Sequence, residues 1–187
     1  MKVLHIYRSI AEIDETQWSD FVRKRFFLSH KYLRTLESAA PHLKYRYAVS
    51  LDQNHRIVSL AYFQIIPFEG KNLYGYLPTN NPLISRVIRR CLGWIHTHLL
   101  VLGNVIFTCE NGLLTDEPKL ADSELLRIID EVRASVSESI LGIMLAENLK
   151  EIRSSRFCGY GFHPFRVEDR MELDISRFLT FQDYIDT

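Results

Sequence analysis

Two apolar segments with strand character flank the most regular helical pattern in the chain, and this arrangement constrains the fold more than any other feature. Residues 101–108 and 140–146 are rich in aliphatic side chains. Between them, residues 119–138 repeat aliphatic residues at helical spacing from Leu125 to Val136. A long helix between two strands is the usual crossover of a parallel pair, because a short turn cannot join parallel strands. We therefore expect 101–108 and 140–146 to be neighbouring central strands.

Antiparallel pairing is predicted in the first half of the chain. Residues 44–51 and 56–68 flank the polar turn 52–55, and β-branched and aromatic residues dominate both runs. This pattern predicts a hairpin. The second run is apolar almost throughout, which is typical of a central strand covered on both faces. Residues 1–7 alternate in hydrophobicity and predict a first strand.

Two short helices are expected between the first strand and the hairpin. Asp14 is suited to cap a helix that carries Trp18 inward, and Ser29 is suited to cap a second that carries Leu33 inward. Both pairs combine a side-chain acceptor at the helix start with an apolar residue one turn later. The order is therefore one strand, two helices and a hairpin.

A third helix is predicted from Pro82, which suits the first helical turn. Its apolar stripe runs from Leu83 to Ile95 at helical spacing. His96 and His98 are then expected near the C-terminus of this helix, where two rings two residues apart point in different directions. Interaction with the helix dipole explains them better than a metal site does.

Shorter elements complete the order: a strand near 72–76, a helix over 147–157 and an extended segment over 162–175. Hairpin and crossover connections together imply a mixed sheet with helices on both faces. The sequence therefore predicts an α/β (α+β) fold with a mixed central sheet.

The charge balance argues against a nucleic-acid binder. The chain has 23 basic and 23 acidic residues, so there is no net positive field toward phosphate backbones. Two local basic clusters, Arg23-Lys24-Arg25 and Arg86 with Arg89-Arg90, are interpreted as solvated faces of helices.

No membrane span or secretory signal is expected. The most apolar window, 91–107, is shorter than the roughly 20 residues that a spanning helix needs. Lys2, His5 and Arg8 interrupt the N-terminal segment where a signal peptide would be apolar. We therefore expect a cytoplasmic location.

Several motifs give the order of elements a family resemblance. Residues 27–38, with the sequence Phe-Leu-Ser-His-Lys-Tyr-Leu-Arg-Thr-Leu-Glu-Ser, resemble the second helix of a GNAT-like group related to the Fem-type peptidoglycan aminoacyltransferases. Gly103-Asn104 at the start of a strand, 159–162 before the last strand and 181–185 at the end support the resemblance. In that group the acyl donor enters between two splayed central strands, here expected to be 101–108 and 140–146.

The resemblance also implies a domain arrangement. Residues 1–187 correspond to a single GNAT-like domain, with 176–187 as the start of a linker helix into a second lobe that this sequence lacks. Thr180 and Asp183 resemble a capping box at the start of that helix.

The activity implied by the resemblance is N-acyl transfer. The lobe would move an acyl or aminoacyl group to an amine, on a cell-wall or peptide substrate, with acyl-CoA or aminoacyl-tRNA as co-substrate and no tightly bound cofactor. Its partners would be a small-molecule or peptide amine and a second GNAT-like lobe. Binding of nucleic acid is not expected, with tRNA as the one exception. The alternative is a noncatalytic lobe that binds substrate or docks onto the lobe that carries the active site.

Five residues are candidates for the site. Glu110, at the end of a splayed strand, is the candidate general base, with a solvated loop acid as the alternative. His30, Glu37, Asn104 and Asn148 are candidate substrate-binding residues, although His30 and Glu37 could instead brace the second helix. No metal site is expected.

Two departures from the family pattern stand against a functional acetyl-CoA site. The family usually has a glycine-rich Arg/Gln-x-x-Gly-x-Gly/Ala loop before its third helix, because closely spaced N–H groups must reach the pyrophosphate. The corresponding stretch, 110–117, has one glycine and three acids. In addition, Glu147-Asn148 stands where related chains tend to have Lys-Asp. We therefore expect no tight binding of acetyl-CoA by this chain alone.

Overall fold

Six strands form one mixed sheet among the residues that the computed structural model describes, which are 2–76, 82–105, 112–116, 122–145 and 161–163. The strands are β1 (Val3–Tyr7), β2 (Lys44–Leu51), β3 (Ile57–Glu69), β4 (His96–Leu102), β5 (Leu113–Thr115) and β6 (Ile140–Leu145). The helices are α1 (Glu15–Val22), α2 (His30–Ala39), α3 (Pro82–Leu92) and α4 (Asp122–Ala134). The predicted mixed α/β class is confirmed.

The sheet runs in the order β1-β2-β3-β4-β6, and β5 also pairs with β3. Every pair is antiparallel except β4 with β6, which is parallel. The hairpin of β2 and β3 is confirmed. A parallel pair of strands with a long helix between them in the sequence is present too, but its first strand is β4, His96–Leu102, and not the predicted 101–108. Residues 103–105 of the predicted strand lie outside any strand, and 106–108 lie outside the described residues. However, β6 has only β4 as a strand neighbour within the described ranges, so its central position is not observed there.

The first two helices cover one face of the sheet. Asp14 and Ser29 cap α1 and α2 as predicted, since their side chains accept the N–H groups of Gln17 and Tyr32. The two helices and the turns beside them bury an apolar cluster against β2 and β3. Its largest fully buried members are Trp18, Tyr47, Tyr62, Ile10, Leu33 and Leu60.

Helix α4 covers the opposite face. It contacts β2 and buries its apolar stripe of Leu125, Ile128, Ile129 and Val132. The residues of β2 that alternate with the first cluster are buried too, including Arg46, Ala48 and Ser50. The predicted arrangement of helices on both faces of the sheet is thus confirmed.

Three predicted elements differ from the structure. Residues 70–76 form a 3₁₀ helix, so the expected strand near 72–76 is wrong. Helix α3 ends at Leu92, and His96 and His98 lie on β4, so their placement at a helix C-terminus is also wrong. Glycine is a common helix terminator, and Gly93 follows α3 directly.

The chain divides into two units, residues 1–152 and 153–187. All the elements above lie in the first. In the second, Gly161 has a φ of 84°, which glycine adopts without strain. The predicted helix 147–157, most of the predicted segment 162–175 and the predicted linker 176–187 lie outside the described residues. None of the described helices is both long enough and apolar enough to cross a membrane.

Candidate functional site

The partner strand of β3 is interrupted in the middle. β4 pairs with the second half of β3, from Phe63↔Leu102 to Glu69↔His96. β5 then pairs with the first half, from Ser59↔Thr115 to Ala61↔Leu113. The two short strands therefore continue one line along β3, with residues 103–112 inserted between them. β3 is the template that holds both halves in register.

Tyr62 of β3 lies opposite the insertion and bonds to both of its ends. The N–H of Gly103 donates to the Tyr62 carbonyl at 2.8 Å, and the N–H of Tyr62 donates to the Gly112 carbonyl at 2.8 Å. Both backbone polar groups of Tyr62 are therefore bonded, one to the end of β4 and the other to the start of β5.

Both ends of the insertion require glycine. Gly103 has a φ of 103°, a conformation that other residues adopt only with strain. A Cβ at Gly112 would lie 2.3 Å from the Gly103 nitrogen and 2.4 Å from its Cα. The two backbones therefore touch where the chain leaves and re-enters the strand. Gly103-Asn104 was expected at the start of a strand, but it follows the end of β4.

A buried amide fixes the first residues of the insertion. Gln64 is fully buried, and its Oε1 accepts the Val105 N–H at 3.1 Å. Its Nε2 donates to the Tyr62 hydroxyl at 2.7 Å. Burial raises the pKa of Tyr62, so the phenol stays protonated over the ordinary pH range. Gln64 therefore holds the backbone of the insertion through one oxygen while its nitrogen is satisfied inside the core.

Asn104 connects the insertion to α2. It is 5% exposed, and its Nδ2 donates to the Tyr32 hydroxyl at 3.2 Å. The Tyr32 ring in turn packs against Phe26 and Phe27, with ring centroids 5.5 and 5.4 Å away. Phe26 is 65% exposed, so this aromatic group continues from the buried amide to the surface. The predicted candidate Asn104 thus lies where β4, β3 and α2 meet.

The outer edge of β5 faces away from β3. In an antiparallel pair, the residues that bond to the partner strand alternate with residues that point outward. Gly112 and Asp116 bond to β3, the latter by donating its N–H to the Val58 carbonyl. The N–H and C=O of Leu113 therefore point to the opposite side. Within the described ranges β3 is the only strand paired with β5.

The expected splay between β4 and β6 is not seen over their common length. The two strands stay paired as far as Leu102↔Leu145, the last residues of each. Beyond Leu102 the chain leaves β4, and β5 takes the place of β4 as the partner of β3. The break in the sheet is therefore at the carboxyl ends of the parallel pair, where open α/β sheets usually bind ligands.

His30 and Glu37 are committed to structural contacts. His30 is 5% exposed, and its Nε2 donates to the Ile10 carbonyl at 3.0 Å. Glu37 accepts three hydrogen bonds: from the Ser9 hydroxyl at 2.7 Å, from the Ile10 N–H at 2.8 Å and from the Tyr47 hydroxyl at 2.7 Å. These contacts tie the segment after β1 to α2 and β2. They support the interpretation of both residues as braces.

Replacement of Glu37 provides a test of this interpretation. We expect Glu37→Leu to lower the free energy of unfolding by about 3 kcal/mol, because three donors lose a charged acceptor in a partly buried place. Glu37→Gln keeps one acceptor oxygen and should lose about 1 kcal/mol. Urea unfolding measures both. The exposed Glu12→Gln, which should change little, is the control. Unchanged stability of Glu37→Leu would contradict the bracing role and return the residue to the substrate-binding candidates.

Two predicted site residues and one predicted loop remain. Glu110 and Asn148 lie outside the described residues, so their proposed roles stay predictions. The stretch 110–117 was expected to be a loop before the helix, yet Leu113–Thr115 is strand β5. The connection from β5 to α4 is therefore shorter, and residues 116–121 contain no glycine.

The sequence did not single out Gln64, although it gave a signal. Gln64 is an amide in a run that was expected to be covered on both faces. Such a residue must find partners inside the core, because an unpaired buried amide costs about 1–3 kcal/mol. The partner of its Oε1, the Val105 N–H, lies 41 residues further along the chain, and sequence spacing does not reveal it.

Comparisons with known proteins give the chain no family. No model of a known protein family matches it, and no curated protein matches it. It is similar to the solved structure of an acetyltransferase of Trypanosoma brucei, with 13% identity over 91% of this chain and 100% of that chain and a TM-score of 0.47. It is also similar to a mutant of the BH1408 protein from Bacillus halodurans, with 12% identity over 90% of this chain and 99% of that chain and a TM-score of 0.44. TM-scores this low do not establish a shared fold, so the α/β assignment rests on the strand order and pairing of the chain itself.

Proposed function

We propose that the chain is an N-acyltransferase-type, GNAT-like lobe whose reaction centre lies at the interruption between β4 and β5. The observation that carries this proposal is the break in the strand at Tyr62, beside the carboxyl end of the parallel pair β4 and β6. A strand edge and a buried polar group meet there. The acyl or aminoacyl donor and the amine acceptor would meet at the same place.

The edge of β5 suits an extended donor. The outward N–H and C=O of Leu113 offer one donor and one acceptor to a chain that lies alongside. The arm of an acyl-CoA contains two amides in an extended chain, and a peptide or aminoacyl ester offers similar groups. Strand-like pairing of such an arm with β5 would place its carbonyl carbon near the insertion.

The acceptor would approach from the side of Asn104. Its amine would attack the thioester or ester carbonyl, forming a C–N bond and breaking the C–S or C–O bond of the donor. Glu110 would take the proton that the amine loses, directly or through a water, and the leaving thiol or hydroxyl would receive a proton in exchange. Asn104 and Tyr32 would position the acceptor, with the exposed Phe26 beside them.

A transfer assay with direct detection tests the proposal. The chain would be incubated with millimolar acetyl-CoA and a set of primary amines and amino-terminal peptides, and thiol release and product mass would be measured. Thiol release that requires both chain and amine would support acyl transfer. Aminoacyl-tRNA would serve as a second donor. Absence of transfer from both donors would contradict the catalytic proposal.

Binding of acetyl-CoA by the isolated chain should be weak. Residues 116–121 contain two acids and a proline but none of the glycines that usually let a loop present clustered N–H groups to a pyrophosphate. We expect calorimetry to show no dissociation constant in the micromolar range. A micromolar constant would contradict this prediction while leaving the proposed transfer intact.

The second candidate is a noncatalytic lobe that binds substrate or docks onto a catalytic lobe. The glycine-free connection before α4 is the observation that favours it. This candidate predicts binding of an amine-bearing peptide without turnover. Transfer by the isolated chain would exclude it.

A further inference from the structure

A cleft beside the candidate site carries three consecutive cations. Arg23, Lys24 and Arg25 were interpreted as a solvated helix face, but they follow the last residue of α1 and form the connection toward α2. All three are exposed. They line a cleft of about 600 Å³ together with Thr115 and Asp116 at the end of β5. The basic cluster therefore lies in a concave surface rather than along a helix.

The three cations form no ion pair with a carboxylate in the described part of the chain. None of the ion pairs found there within 4.0 Å involves Arg23, Lys24 or Arg25. Among the described residues that line the cleft, three cations stand beside one acid, Asp116. The chain as a whole has a net charge of zero, and the positive charge of the cleft is therefore a local feature.

The wall of the cleft is held in a strained conformation. Arg23 has φ 57° and ψ −122°, a left-handed conformation in which a non-glycine side chain costs roughly 1–3 kcal/mol. Its N–H donates to the Ser19 carbonyl at 2.8 Å and ends α1 at this residue. Strain of this kind persists where the surrounding structure fixes it, and it is frequent at ligand sites.

The floor of the cleft is apolar and close to the candidate site. Val22 and Leu114 are buried, and Phe21 beside them is half-buried. Leu114 pairs with Leu60, which lies two residues before Tyr62 on the same face of β3. Two residues along a strand span about 7 Å. The cleft therefore lies close to the interruption of the strand.

We propose that this cleft binds a small anionic ligand through its phosphate or carboxylate groups. The two guanidinium groups offer paired N–H donors that match both kinds of anion, and Lys24 adds a mobile third charge. The apolar floor would cover a carbon part of the same ligand. Identifying this ligand as the acceptor of the transfer reaction rests on the proposed function, but the binding itself does not.

The experiment compares two matched triple variants. One replaces Arg23, Lys24 and Arg25 by glutamine, and the other replaces Arg86, Arg89 and Arg90 of α3 in the same way. Both remove three exposed positive charges, one set in the cleft and the other on α3. Binding of inorganic pyrophosphate and of citrate is measured by calorimetry at low and at physiological salt, with the melting temperature of each protein as a check of folding.

We expect the original chain to bind at least one of these anions, and the cleft variant to lose at least tenfold in affinity while the α3 variant keeps its affinity. Preference for pyrophosphate would assign phosphate groups to the ligand, and preference for citrate would assign carboxylates. Absence of binding of both anions would overturn the proposal. An equal loss in both variants would overturn it too, since general charge attraction would then be the cause.

The readout separates this proposal from the proposed function. Anion binding without any acyl transfer would retain the cleft and remove the catalytic role. Acyl transfer without anion binding would retain the catalytic role and remove the proposed anion site in the cleft. If the melting temperature of the cleft variant is lowered, the single variants Arg25→Gln and Lys24→Gln repeat the test in a folded protein. Both residues lie outside α1 and lack the strained φ of Arg23. Unchanged affinity in both single variants would contradict the proposal.

Discussion

Replacing Gly112 by alanine is expected to destabilise the protein by about 3 kcal/mol or more, at the upper end of what an added methylene costs in a packed core. The new Cβ would lie 2.3 Å from the backbone nitrogen of Gly103 and 2.4 Å from its Cα. Neither atom belongs to a flexible side chain. The two ends of the insertion must therefore separate, and the bonds that both make with Tyr62 must lengthen or break.

A matched substitution is available at Gly142 of β6. There the nearest atom to an added Cβ is Leu99 Cδ2, at 3.7 Å, which is ordinary van der Waals contact. Because alanine restricts the unfolded chain more than glycine does, Gly142→Ala should be neutral or stabilising by about 0.5 kcal/mol. Urea unfolding of both variants measures the difference.

The comparison tests the interrupted strand directly. Hydrogen exchange of the Tyr62 and Gly103 amides should speed up in Gly112→Ala and stay slow in Gly142→Ala. If Gly112→Ala is as stable as the original chain, the backbones of Gly103 and Gly112 are not in contact, and the site that depends on this contact would have to be placed elsewhere.

The sequence predicted those elements whose signals are local. The hairpin of β2 and β3 follows from two runs of strand-forming residues around a polar turn. Asp14 and Ser29 cap α1 and α2 through bonds to residues three positions away. Such signals depend on neighbours along the chain. They survive folding because the tertiary structure agrees with them.

Periodicity failed where an apolar pattern continued past a helix end. The stripe that begins at Leu83 extends by spacing to Ile95, but α3 ends at Leu92 and the chain turns at Gly93 into β4. The stripe is also not a core face: Val87 is 63% exposed, and Cys91 is exposed. Apolar residues at helical spacing predict a helix, but they do not show what its apolar face contacts.

The candidate site was harder to predict because its contacts are distant in sequence. β5 has three residues, too few to show a period, and it is recognised by its pairing with β3. Asn104 bonds to Tyr32 from 72 residues away. Of the predicted site residues, Asn104 lies at the junction, whereas His30 and Glu37 lie on α2 and bond to the segment after β1 and to β2. The residue types indicated which side chains could make polar contacts. The groups that they contact are set by the fold, which brings distant parts of the chain together.

The largest effect on activity is expected from Glu110→Gln. A positioned general base contributes roughly 100- to 10,000-fold to a rate, and glutamine keeps the size of the side chain but cannot accept a proton at neutral pH. We expect the rate of amine acylation under saturating donor to fall by about that factor. The melting temperature should stay the same, because the change conserves volume.

The control is Asp20→Asn, which makes the same chemical change at an exposed position on α1. It should leave the rate within about twofold, since a surface substitution away from the site has little to act on. The rate is best followed as a function of pH and expressed per concentration of unprotonated amine. After this correction, a rate that falls on the acid side reports a base on the protein that must be ionised. Glu110→Gln should lose this acid limb, and Asp20→Asn should keep it. A full rate with an intact acid limb in Glu110→Gln would contradict the assignment of Glu110 as the base. Transfer by the original chain would then point to a water or to another carboxylate for the proton, and the interruption between β4 and β5 would remain the proposed place of reaction.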